Sequence, residues 1–201
     1  STRTITADYC YSSLFQNCTS LTTAPELPAT TLTGIRCYAS MFNWCTNLTT
    51  APALPATTLS DSCYLGMFVW CTSLTATPEL PATTLIGSCY ASMFSWCTNL
   101  RTTTTLPATT LASSCYMYMF NQCSNLETLP ALPATTLAYG VYYQMFYQCY
   151  KIKLSATQTW AYQTPYRIPT TWTWTEAASW NTNMFYQSWW TFTWAPTINT
   201  R

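Results

Sequence analysis

Histidine is absent from this chain, and Asp, Glu, Lys and Arg together make up only 6% of its 201 residues. Without histidine, a serine or cysteine nucleophile lacks its usual base, and the commonest metal ligand is missing. No C-x-x-C pair occurs either, so the usual zinc knuckle is excluded. The six acids, Asp8, Glu26, Asp61, Glu79, Glu127 and Glu176, are scattered, and none sits beside another. Glu26 and Glu79 occupy equivalent repeat positions two turns apart, but solvation at a rim explains them as well as paired-carboxylate chemistry does. A net charge of +1 with no basic run leaves no field to draw a phosphate backbone. No stretch approaches the roughly 18 consecutive apolar residues of a membrane span, and the N-terminus lacks the charged-then-apolar layout of a signal peptide. These absences describe a non-enzyme with no cofactor, no metal, no nucleic-acid partner and no direct membrane insertion in this segment.

What is abundant is apolar and hydroxyl-bearing. Hydrophobic residues form 49% of the chain, ample for a continuous core. Thr, Ser, Asn, Gln and Tyr must then coat the surface, a neutral covering more often met outside the cell than in cytosol. The chain starts without Met and is in repeat register by Asp8, which reads as a mature or excised portion of something longer.

Alignment on cysteine exposes the organisation. A first cysteine stands at Cys10, Cys37, Cys63, Cys89 and Cys115, with Val141 in the sixth place. A second stands at Cys18, Cys45, Cys71, Cys97, Cys123 and Cys149. The first interval, Cys10 to Cys37, is longer by a single residue than every later one, and the later ones are all equal, so the turns repeat strictly. Six turns are explicit. Cys37, Met41, Cys45 and Leu48 fall three to four residues apart, with Phe42 widening the same face, so 36–45 is expected to be a short helix on the core. Thr-Thr-Ala-Pro-Ala-Leu-Pro cannot continue it and predicts a strand of two to four paired residues around Thr49 to Ala51. Ala-Thr-Thr-Leu is read as the link to the next helix. Units of this kind must stack to bury their faces, with the parallel strands on the concave side and the short helices on the convex side. The fold class is thus an α/β repeat solenoid.

Within a helical unit, Cys10 and Cys18 would stand about 12 Å apart, too far to bridge. The cysteines read as buried, reduced and effectively small apolar residues.

The pattern CY-x-x-MF-x-x-C-[TS]-x-L-T-x-A-P-x-LPATTL resembles the BspA-like leucine-rich repeats of bacterial surface proteins over roughly residues 7–154. Its Met-Phe pair recurs at Met41-Phe42, Met67-Phe68, Met93-Phe94, Met119-Phe120 and Met145-Phe146. The resemblance implies a leucine-rich-repeat solenoid, a secreted or surface-anchored protein often adhesive towards host or matrix proteins, and no catalytic residues to transfer. One departure stands out. That family commonly has Gly just before the second cysteine, where this chain has Trp44, Trp70 and Trp96, with Asn17, Gln122 and Gln148 in the other turns. Gly or Asn tolerates a left-handed backbone there and Trp tolerates it poorly. Two accounts stand open: a reassigned codon read as Trp in place of Gly, or genuine Trp on an exposed ladder.

Residues 1–154 are therefore read as a six-turn solenoid, and 155–201 as an irregular Trp- and Thr-rich insert followed by a degenerate capping repeat. Asn183-Met184-Phe185 copies the Met-Phe motif, and Thr193-Trp194-Ala195-Pro196 copies the extended segment. The expected function is recognition or adhesion at the cell surface or outside the cell. The partner is a host, matrix or neighbouring-cell protein or glycan, held on the concave face or by the C-terminal cap. The candidate binding residues are Trp44, Trp70, Trp96, Trp172, Trp174 and Trp194, because flat aromatics form hot spots and stack on sugar rings. The alternative is a structural subunit or spacer of a surface fibre, filament or virion appendage, self-associating through the solenoid ends.

Overall fold

The computed structural model describes residues 3–134, 136–152 and 183–185. Six repeat units, centred on residues 10–18, 37–45, 63–71, 89–97, 115–123 and 141–149, stack one on the next along a common axis.

The segments expected to be helices are instead ladders of consecutive tight turns. In the second unit, the N–H groups of Ala39, Met41, Asn43 and Cys45 donate three residues back, to the carbonyls of Arg36, Tyr38, Ser40 and Phe42, at 3.0–3.3 Å. The alternate N–H groups, of Tyr38, Ser40, Phe42 and Trp44, donate to Cys63, Leu65, Met67 and Val69 of the following unit at 2.8–2.9 Å. Half of the donors thus close turns and half tie units together, so the backbone groups of this buried segment are satisfied without a helix. Every fourth residue has positive φ, in the second unit Arg36 (52°), Ser40 (55°) and Trp44 (64°). An α-helix needs negative φ at each position, so the periodic left-handed residue forbids one. Among the described residues the one helical segment is a 3₁₀ turn at Asn183–Phe185.

Parallel pairing is present but short. Strand β1 (Thr4–Ile5) pairs with β2 (Thr31–Leu32) in parallel, Thr4 opposite Thr31. Single parallel bridges join Thr31 to Thr58, Thr84 to Thr110, Thr23 to Thr50 and Ala76 to Thr102. The segment expected to hold two to four paired residues, around Thr50, therefore holds one bridge. The longest pairing lies in the Ala-Thr-Thr-Leu stretch, read from sequence as a mere link. Proline explains the exchange: Pro25 and Pro52 remove ladder donors beside the first bridge, whereas Thr30 and Thr31 both keep theirs and donate to Arg3 O at 2.9 and 3.3 Å.

Identical residues stack into columns. Tyr11, Tyr38, Tyr64, Tyr90, Tyr116 and Tyr142 lie 5.6–6.0 Å apart, ring to ring. Phe15, Phe42, Phe68, Phe94, Phe120 and Phe146 form a second column at 5.5–5.7 Å, tilted by no more than 7°. Phe185 extends it at 5.3 Å, and Phe146 N–H donates to Met184 O at 2.9 Å, the bond that joins each Phe to the next unit's Met. Offset stacking adds about 0.5–1.5 kcal/mol per pair to the burial of the rings.

Cysteine fills the narrow space behind Phe. The thiols of Cys45, Cys71, Cys97, Cys123 and Cys149 donate to Phe15, Phe42, Phe68, Phe94 and Phe120 O at 3.0–3.1 Å. None of the eleven cysteines is in a disulfide; nine are buried, and Cys10 and Cys18 of the first unit are exposed. Glycine is required at Gly34, where an added Cβ would collide with the Ala7 carbonyl of the preceding unit.

Candidate functional site

The turn ladder ends, in every unit, on a left-handed residue just before the second cysteine. Asn17, Trp44, Trp70, Trp96 and Gln122 have φ of 63–64°, and Gln148 has 54°. The backbone at these places is the left-handed one that the sequence pattern implied, and Trp occupies three of the six. Stacking of units brings those three together. Trp44 and Trp70 lie 4.6 Å apart at 15°, and Trp70 and Trp96 lie 4.2 Å apart at 12°. Gln122 continues the file, its Nε2 donating to Gln148 Oε1.

This arrangement divides the tryptophans by what they offer. Both faces of Trp70 are covered by its neighbours. Trp44 is 43% exposed, and its outer face lies on the side of Asn17 rather than another ring, so it is the member best placed to receive a flat group. Trp70 and Trp96 are half-buried and present mainly edges. Trp172, Trp174 and Trp194 lie outside the described residues.

A second feature was not anticipated from sequence. A groove of about 590 Å³ runs between the second and third units, lined by Thr49–Ala51, Ala53–Pro55, Thr75–Glu79 and Pro81. The parallel bridges fail at this junction. Thr23 pairs with Thr50 and Ala76 with Thr102, but Thr50 and Ala76 are unpaired with each other, as are Thr58 and Thr84. Bridge partners before the seam, such as Thr31 and Thr58, stand further apart in the chain by a single residue than those after it, such as Thr84 and Thr110. Thr50 and Ala76 are as far apart in the chain as Ala76 and Thr102, which do pair, so the repeat interval does not mark the seam; pairing is decided between segments a whole repeat apart.

Among the described residues no three His, Cys, Asp or Glu side chains gather as a metal set. Burial pushes the Cys37 and Cys45 thiols up to about 11 and Cys89 to about 12, so the nucleophilic thiolate is suppressed at neutral pH. Among the described residues no helix is long and apolar enough to cross a membrane.

The regular columns of Tyr, Phe and Trp, with short parallel pairing beside them, fit a leucine-rich repeat of the BspA-like kind. No family model matches the sequence, and no curated protein matches it. Among solved structures the chain is similar to a leucine-rich repeat protein of T. pallidum, with 21% identity and a TM-score of 0.45. The likeness covers 70% of this chain and 58% of that one, so the chain spans less than two thirds of that protein's length.

Proposed function

We propose that this chain is a non-enzymatic recognition module acting outside the cell or on its surface, adhesive towards a host, matrix or neighbouring-cell protein or glycan. The observation that carries this reading is the Trp44–Trp70–Trp96 stack, which holds the exposed Trp44 ring rigidly on a nearly uncharged, hydroxyl-rich surface. A pre-ordered aromatic loses little entropy on binding and shields polar contacts at its rim, the features of an interaction hot spot. Arrays of extracellular-matrix proteins and of glycans, probed with the wild type and Trp44→Ala, test it. A saturable partner whose signal drops at least tenfold in the variant is expected; an array on which no partner distinguishes the two proteins overturns the reading.

A structural role has one observation in its favour. The ladder residues of the first unit are more exposed than those of the second: Tyr11 is 39% exposed where Tyr38 is 3%, and Leu14 is 55% exposed where Met41 is 1%. A spacer that joins other subunits through this end would sediment as larger species with rising concentration. A single species across the range removes that alternative.

A further inference from the structure

The file of left-handed residues carries its three indoles in the middle and an amide on either side, and the two sides differ. Gln122 follows Trp96, and its carboxamide is spent on Gln148 of the next unit. Asn17 precedes Trp44, is exposed, and among the described residues makes no hydrogen bond through its carboxamide. The backbone sets Asn17 and Trp44 in register. Asn17 N–H donates to Asn43 O and Trp44 N–H to Val69 O, both at 2.8 Å, with φ of 63° and 64°. Asn17 therefore stands over Trp44 as Trp44 stands over Trp70. Its side chain is much shorter than an indole, so the outer part of the Trp44 ring projects beyond it, in keeping with an exposure of 43% where Trp70 and Trp96 are half-buried. The result is a ledge: an apolar floor backed by Trp70 at 4.6 Å, with an unspent amide at its inner edge.

Floor and edge make separate demands on one ligand. The face of an indole carries negative charge density and attracts the slightly positive hydrogens of C–H groups. A carboxamide offers an acceptor oxygen and two donor hydrogens, a match for two neighbouring hydroxyls. A pyranose ring meets both demands, with C–H groups on its face and hydroxyls around its rim. Residues 10–25 and 37–60, which build the ledge, contain no Asp, Glu, Lys or Arg, so they hold no partner for a carboxylate or sulfate on the sugar. An apolar peptide side chain would cover the floor equally well but would bury the amide without a partner, which costs binding.

We propose that the ledge of Trp44 and Asn17 is a subsite for one neutral hexopyranose with equatorial hydroxyls, as in a β-linked glucan. Such a ring turns its axial C–H groups to the indole and its rim hydroxyls to the Asn17 carboxamide. Because Trp44 is held by its stack before the sugar arrives, little side-chain freedom is lost on binding. The proposal rests on the recognition reading and names the ligand class of the same ring, so a protein partner at Trp44 would leave that reading standing without this ligand.

The test uses the full 201-residue chain with cellotetraose, followed by saturation-transfer NMR across a titration. Saturable binding is expected, with transfer to the ring C–H protons of the sugar. Trp44→Ala is expected to weaken it about tenfold, the size of one lost stacking contact. Asn17→Trp is the sharper variant: it leaves an exposed indole on the stack but covers Trp44 and removes the amide, so binding is expected to fall as far as in Trp44→Ala. Gln122→Ala, on the side where the amide is already paired, is expected to leave binding unchanged. Absence of saturable binding overturns the proposal, as does undiminished binding by Asn17→Trp, equal weakening in Gln122→Ala, or an intact mass that places glycine at position 44. If cellotetraose fails while a protein on the arrays binds in a Trp44-dependent way, the recognition reading stands and the sugar subsite falls.

Discussion

At the residue scale, the file 17, 44, 70, 96, 122 and 148 sets two costs against each other. A side chain in the left-handed region costs roughly 1–2 kcal/mol, and each ring stack returns about 0.5–1.5 kcal/mol. Trp44 makes one stack and Trp70 makes two. Trp44→Gly is therefore expected to leave stability within about 1 kcal/mol of wild type, because relieved backbone strain offsets one lost stack. Trp70→Gly is expected to destabilise by about 1–3 kcal/mol, since it removes both stacks and more buried surface. Urea unfolding of the two variants checks the order; a more stable Trp70→Gly would show that backbone strain outweighs the stack. Intact mass is the companion measurement. A mass equal to the all-Trp chain ends the reassigned-codon account, and a lower one means that Gly stands where the backbone already favours it.

At the scale of the element, the turn ladder replaces the helix because of a small difference in period. Cys37, Met41 and Cys45 are spaced by four, as are Tyr38 and Phe42, and Arg36, Ser40 and Trp44. On an α-helix, residues eight apart drift by about 80° around the axis. In the turn ladder each fourth residue returns to the same side, so Cys37 and Cys45 are both fully buried. Spacings of three to four over so short a segment look alike in either case, so the sequence alone points to the commoner element. The far-UV circular dichroism spectrum is accordingly expected to lack the double minimum of α-helix. A strong helical minimum, of the size that a short helix in each of the six units would give, contradicts the ladder.

For the whole molecule, stability depends on burying rows of weak acids in their neutral form. Nine cysteines are buried, and burial pushes Cys71, Cys97, Cys115, Cys123 and Cys149 upward along with Cys37, Cys45 and Cys89. Buried Tyr64 and Tyr90 are raised as well, again through loss of solvation. In the unfolded chain the thiols titrate near their ordinary value of 9.0, whereas Cys89 in the fold waits until about 12. The unfolded state therefore loses protons first. Stability is expected to be level below about pH 9 and to fall between there and about pH 12, by roughly 1.4 kcal/mol per pH unit for each thiol so shifted. Urea unfolding in reductant at pH 7.5, 9 and 10 measures this, and a midpoint that does not move between 9 and 10 rules out the buried thiol rows.

The sequence by itself determined the repeat, its interval and the inward-facing residues. Units that stack in register must present the same residue at the same place, so a column of Phe in space is a periodic Phe in the chain. It also determined that position 44 and its equivalents need a left-handed backbone, through the residue types a tight turn tolerates. The tertiary structure alone decided what closes the backbone between those positions, because the acceptor for every second N–H lies in the next unit. It alone decided that Trp44, rather than Trp70 or Trp96, keeps the more open ring, since that depends on which neighbours stack on each face. The groove, too, arises only in three dimensions: the interval is equal from Cys37 onward, and the missing pairing of Thr50 with Ala76 exists only once two distant segments lie side by side.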